Sequence, residues 1–175
     1  IVEDLARNAG IPKPRVCSVP DQAPNAFATG RDPEHAVVAV TEGLLQILQP
    51  DEIRGVLAHE MAHIAHRDIL IQTVAGVMAS TITALANFLQ FASFFGGARD
   101  DEGNRVNPLV GLLMALLAPI AASIIQLGIS RSREYLADAG GAQYSGNPLY
   151  LASALKKLDA YSKQIPMEHG NAATA

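Results

Sequence analysis

Two stretches of this chain carry no charged side chain, Ile69 to Ala98 and Val106 to Ser130. Each holds an apolar segment, 74–95 and 108–129, that reaches the roughly 20 residues a helix needs to cross a bilayer core. Few folds are open to such a chain. The two segments either pack as buried helices of a water-soluble core or form a transmembrane hairpin, and charge-free runs this long are rare in soluble helices. Their few polar residues fall on stripes: Ser80, Thr83, Asn87 and Gln90 lie three or four apart, and Ser123, Gln126 and Ser130 repeat the pattern. A face packed on another helix has that spacing. Pro119 would break a soluble helix but is tolerated in a membrane one. Arg54, Arg67, Arg131 and Arg133 flank the outer ends of the hairpin, against Arg99 and Arg105 in a polar loop that also holds Asp100, Asp101 and Glu102. By the positive-inside rule the flanking side is cytoplasmic.

The rest of the chain reads as a mixed, water-exposed fold. At 175 residues, 49% hydrophobic and 17% charged, it suits one domain with an insertion. A net charge of -4 gives no footprint for nucleic acid. The single Cys17 excludes an internal disulfide and suits a reducing compartment. Residues 1–10 predict a short amphipathic helix stopped by Gly10, and Arg15–Val19, Phe27–Thr29 and Ala36–Val40 predict three strands. Thr41 is placed to N-cap a helix through Leu48, and Pro50 to open the next with Asp51 and Glu52 in its first turn. After the hairpin, Ser132 to Ala139 predicts a helix ending at Gly140-Gly141. Asn147-Pro148 opens a last helix with Leu151, Ala154, Leu155 and Leu158 on one face, and the tail from Ile165 predicts disorder.

The helix that begins at Pro50 contains His59-Glu60-Met61-Ala62-His63, an H-E-x-x-H pattern. Residues four apart project from one helical face, so His59 and His63 can bind one metal ion together. Glu60 lies about 100° round the helix from His59, where it reaches a water on that metal without being a ligand. Two imidazoles and an adjacent carboxylate base suit a zinc-activated water. A solvated surface helix explains the motif poorly, because Leu57, Ala58, Met61, Ala62, Ile64 and Ala65 surround the histidines.

Catalytic zinc takes three protein ligands and keeps one position open. His66 lies about 10.5 Å along a straight helix from His59, too far to share the ion, and reads as a helix-end group or as a group behind a ligand. Gly at 66 and His at 69 would mark a metzincin, and the chain has His66 and Ile69. Cys17 is remote and isolated, and His35 and His169 fall in a turn and the tail. Glu134 is the best candidate, with Asp138 one turn later to accept the N–H of a ligand histidine. The alternative for this acidic pair is a solvated helix face paired with Arg131 and Arg133.

These residues resemble the HtpX membrane zinc metalloproteases. The resemblance rests on Leu57 to His63, two hydrophobic spans, and Ser130-Arg131-Ser132-Arg133-Glu134-Tyr135-Leu136-Ala137-Asp138, with Pro24 to Gly30 and Gly146-Asn147-Pro148 in support. It implies a zincin-like α+β fold, mainly α, with a small β-sheet and an inserted transmembrane helical hairpin. The expected division is 1–68 and 131–175 as the two parts of a catalytic domain, and 69–130 as the hairpin. It implies one Zn2+ per chain on His59, His63 and Glu134, Glu60 as catalytic base, and Asp138 behind a ligand. It further implies a multi-pass protein of the bacterial inner membrane, related to the CAAX prenyl endopeptidases, that cleaves misfolded membrane proteins. Family members have two further spans before the start of this chain and a His-Pro-Pro segment beyond its end, so the sequence is expected to be a fragment.

The expected reaction is peptide-bond hydrolysis, with Arg133, His66 and Asn25 as unranked candidates for a substrate or oxyanion contact. An extended substrate would pair with an edge strand near Phe27–Thr29 or Ala36–Val40. Two rival readings stand beside it: a membrane metal-binding scaffold without turnover, and a zinc hydrolase of small amides.

Overall fold

The computed structural model describes residues 1–95 and 108–164. The chain divides into two compact units, Ile1–Asp68 with Tyr135–Ala175, and Ile69–Glu134.

The first unit begins with α1 (Val2–Ala9), ended by Gly10 in the left-handed conformation at φ 66°. Three strands follow, β1 (Arg15–Val19), β2 (Ala26–Thr29) and β3 (Val37–Thr41), in spatial order β1-β3-β2. β1 runs parallel to β3, from Arg15 opposite Val37 to Val19 opposite Thr41. β2 runs antiparallel to β3, pairing Ala26 with Val40 and Thr29 with Val37. β3 is therefore central and paired on both sides. The stretch Ala36–Val40 offers no edge to a substrate, and β2 is the strand near the motif that does. Burial explains the order, since Val38, Ala39 and Val40 are all buried whereas Val16 and Phe27 are exposed.

Thr41 performs two tasks at the end of β3. Its hydroxyl accepts from Leu44 N at 3.3 Å, capping α2 (Glu42–Ile47), and accepts from Asn25 N at 2.8 Å, fixing the start of β2. The metal-motif helix α3 (Pro50–Ala65) opens with Pro50, and Glu52 reaches back to accept from Gln49 N at 2.8 Å. Its buried side, including Val56, Leu57, Met61 and Ile64, joins Leu5, Val38 and Leu44 in one core. α3 does not run on beyond this point. His66 caps it, and Arg67 takes a left-handed φ of 55° before α4 (Asp68–Phe95) starts.

α5 (Pro108–Ser145) is one helix through Pro119 and on through Gly140-Gly141, where a stop was expected. The glycines serve close approach instead. A Cβ on Gly141 would stand 3.0 Å from His59 N and 3.1 Å from His59 Cα, and one on Gly140 would stand 3.0 Å from Ala62 Cβ. The left-handed glycine that follows the helix is Gly146, φ 82°, whose N–H donates to Ala142 O at 3.1 Å. Asn8 Nδ2 donating to Tyr144 O at 2.8 Å and Arg54 Nε donating to Ser145 O at 3.2 Å tie this end of α5 to α1 and α3. α6 (Pro148–Gln164) opens with Asn147 Oδ1 accepting from Leu149 N at 2.9 Å. Leu151, Ala154 and Leu158 face the core, but Leu155 is exposed. Leu155 lies about 60° round the helix from Leu158, on the side away from Ala154, at the rim of the stripe. The expected tail and the 99–107 loop lie outside the described residues.

In the second unit, α4 and α5 are long and apolar enough to cross a membrane. Val77, Phe88, Leu116 and Ile124 are 62–64% exposed, more than a soluble core helix leaves bare. Ser80, Thr83 and Asn87 of α4 face Ser123 and Gln126 of α5 across a cleft of about 390 Å³. The hydroxyls of Thr81, Thr83 and Ser123 donate to the carbonyl four residues earlier, which satisfies them within the helix.

Candidate metal centre

His59 and His63 stand one helical turn apart on α3, and their Nε2 atoms converge to 3.1 Å. Two nitrogens on one tetrahedral zinc at about 2.0–2.1 Å lie roughly 3.3 Å apart, so the pair is already close to ligand spacing. The rings meet edge to face, with centroids 4.8 Å apart. Both are partly buried, so they are sheltered yet reachable.

Each ring has a carboxylate behind it. His63 Nδ1 lies 2.8 Å from Asp68 Oδ2, and His59 Nδ1 lies 3.0 Å from Asp138 Oδ1. A carboxylate only accepts, so His63 Nδ1 carries the proton and His63 Nε2 keeps its lone pair for a metal, whereas the Asp138 contact to His59 is a close approach and not an aligned hydrogen bond. This donor set fits zinc. Asp138 lies one turn after Glu134 on α5. Asp68 was not anticipated, because on an unbroken helix it would lie about 140° round and 7.5 Å along from His63.

Glu60 follows His59, and its Oε2 accepts from the backbone N–H of Ala28 at 3.0 Å. Strand β2 thus aims an amide at the carboxylate that the motif marks as base. No side-chain pattern could reveal this, since the donor is main chain. Glu134 ends the segment just before Tyr135, where the first unit resumes within α5. His59 and His63 belong to the first unit, and Glu134 is the last residue of the second.

The other sequence candidates are placed as follows. His66 packs its Cε1 toward Gly140, 3.3 Å from where a Cβ would stand, and its N–H donates to Ala62 O at 2.9 Å. Asn25 is exposed at the start of β2, with its carbonyl accepting from Thr41 N at 3.0 Å. Arg133 is partly buried on α5, next to Glu134. Cys17 is on β1, and His35 is in an exposed turn 2.6 Å from Asp32.

A buried acid anchors the start of α3. Glu52 accepts from Lys157 Nζ at 2.7 Å and Ser153 Oγ at 2.6 Å, both on α6. The Lys157 ammonium, then the Ser153 hydroxyl, hold its carboxyl well below the usual range, at about 2, against an opposing push from burial.

Comparison with known proteins gives the family. The family described as Peptidase family M48 matches residues 1–170. A "Protease HtpX homolog" of Pyrococcus furiosus is 58% identical over 175 residues, covering 100% of this chain and 60% of that protein. One of Burkholderia multivorans is 55% identical over 172 residues, covering 98% of this chain and 59% of that protein. The chain thus spans about 60% of the length of these relatives. The crystal structure of S. mikatae Ste24p superposes with a TM-score of 0.60 at 25% identity, covering 92% of this chain and 41% of that one. These relatives bear out the resemblance to HtpX proteases, and the shared fold joins the mainly helical body to a three-stranded sheet. A family match across residues 1–170 places the chain in peptidase family M48.

Proposed function

We propose that this chain carries the catalytic part of a zinc-dependent membrane endopeptidase. The observation that carries the reading is the convergence of His59 and His63 Nε2 at 3.1 Å, each ring with a carboxylate at its Nδ1, beside Glu60. His59, His63 and Glu134 would hold one zinc per chain. When bound, zinc would supply a Lewis acid that lowers the pKa of its water toward about 7 and polarises a carbonyl. Glu60 takes the proton of the attacking water and returns it to the leaving amine. The Ala28 amide orients that carboxylate before substrate arrives. β2 is an edge strand, so an extended polypeptide adds along it and brings its scissile bond beside Glu60.

On this reading the substrates are unfolded or membrane polypeptides, and the role is quality control in the cytoplasmic membrane with the catalytic unit in the cytoplasm. The protein is assayed in detergent, loaded with zinc, on unfolded casein and on a small amide, with and without a chelator. Casein cleavage that the chelator stops, and that Glu60→Gln loses while keeping zinc, is the expected outcome. Zinc binding without cleavage would favour a scaffold, and cleavage of the small amide alone would favour the other hydrolase class. A Glu60→Gln variant that cleaves casein near the parent rate removes Glu60 as base.

A further inference from the structure

We infer that Asp68 is the positioning residue of the second histidine, and that the left-handed turn at Arg67 exists to deliver it. The inference rests on the zinc reading above and adds to it a residue outside the H-E-x-x-H and E-x-x-x-D patterns. Asp68 is 1% exposed and lies 2.8 Å from His63 Nδ1. On a continuing α3 it could not be there, being about 140° round and 7.5 Å along from His63. The chain reaches it by stopping the helix. His66 N donates to Ala62 O, Arg67 N donates to Ile64 O at 3.1 Å, and Arg67 turns to φ 55°. A non-glycine residue rarely adopts that conformation unless its surroundings impose it.

The buried carboxylate has a chemical consequence. Imidazole presents a lone pair on one nitrogen only when the proton sits on the other. Asp68 accepts the Nδ1–H, which fixes the ring angle and commits Nε2 to the face it shares with His59 Nε2. Being enclosed, this contact is screened little by solvent. Asp68 also opens α4, so the residue that sets the His63 tautomer is the first residue of the long apolar helix.

The test uses the full chain in detergent and two measurements. A competing chelator gives the zinc dissociation constant, and side-chain 15N NMR of the metal-free protein gives the His63 tautomer. Parent protein shows His63 protonated at Nδ1. Asp68→Ala weakens zinc 10–100-fold and lets the Nε2–H form appear. Asp68→Asn, whose amide oxygen still accepts, keeps the tautomer and recovers much of the affinity. Arg67→Gly, which adopts positive φ freely, holds zinc within about twofold of parent, whereas β-branched Arg67→Val weakens it like Asp68→Ala. A folded Asp68→Ala that holds zinc within about twofold and keeps the Nδ1–H form overturns the inference. Should that variant fail to fold, Arg67→Val binding zinc like parent overturns it equally. A parent protein that binds no zinc sinks the proposed function instead, and the tautomer measurement still decides the role of Asp68.

Discussion

Replacing Gly141 with alanine tests whether the close approach of α5 to α3 sets the metal site. A Cβ there meets His59 N at 3.0 Å, His59 Cα at 3.1 Å and Ala58 C at 3.4 Å. All three atoms are main chain of a helix whose other side lies in the core, so no rotamer change relieves the contact. Ordinary van der Waals separation requires α3 and α5 to part by about 0.5 Å, an overpacking that costs about 1–3 kcal/mol. Helix propensity returns about 1 kcal/mol for glycine to alanine. The net is a loss of about 0–2 kcal/mol, or a fall in Tm of up to roughly 8 °C at about 2–4 °C per kcal/mol. The larger effect falls on zinc. His59 and Asp138 sit on the two parted helices with 3.0 Å between them, and a site loosened by about 0.5 Å is at the limit of productive geometry. Zinc affinity is expected to drop by about tenfold. Gly128→Ala is the control, since a Cβ there meets nothing within 4 Å. It gains the propensity term, up to about 1 kcal/mol, and leaves zinc unchanged. Thermal unfolding and chelator competition on both variants give the answer. If Gly141→Ala is stabilised as much as Gly128→Ala and holds zinc like parent, the glycine pair does not govern the site.

Glu134→Ala is expected to lose zinc and activity together, whereas Asp138→Ala weakens zinc by about 10–100-fold, both read by chelator competition. Glu134→Ala with parent affinity, alongside a His66 or Cys17 variant that releases the metal, would reassign the third ligand. Glu52→Gln exchanges charged hydrogen bonds for neutral ones and is expected to cost about 2 kcal/mol in denaturant unfolding at neutral pH. The sign of its pH dependence follows from the lowered pKa: the stabilisation is complete above the ordinary value of 4.5 and is lost as pH falls through about 2. Parent and Glu52→Gln stabilities should therefore converge between pH 4.5 and 2, and parallel curves across that window would contradict the clamp.

Local chemistry was legible in the sequence wherever it depended on one helix or one cap. Thr41 before α2, Pro50 at the head of α3, Asn147-Pro148 before α6 and the one-turn spacing of His59 and His63 all follow from rules acting within a few residues. Gly140-Gly141 misled because a glycine pair signals a stop when only the local chain is considered, while its use here is set by a neighbour far away in sequence. Ala36–Val40 read as a strand, but its central place depends on pairing with both β1 and β2, which strand propensity does not encode. Asp68 and the Ala28 amide were invisible for a related reason. One depends on a chain reversal at Arg67, the other on where β2 lies against α3.

The two carboxylates behind the histidines differ in a way that ranks them. Asp138 is 57% exposed in its side chain and Asp68 is 1% exposed. Water solvates Asp138 and screens its attraction for His59, and it can also replace the carboxylate as acceptor when the side chain is removed. Nothing replaces Asp68 so readily, because its removal leaves a buried Nδ1–H facing a void. His63 is therefore the histidine whose orientation is fixed by the fold itself. His59 is held more by the packing of its own backbone against Gly141, with Asp138 as a softer restraint. Apart from Glu134 itself, substitutions on α5 act on the site mainly through His59, and substitutions in the turn at Arg67 act through His63.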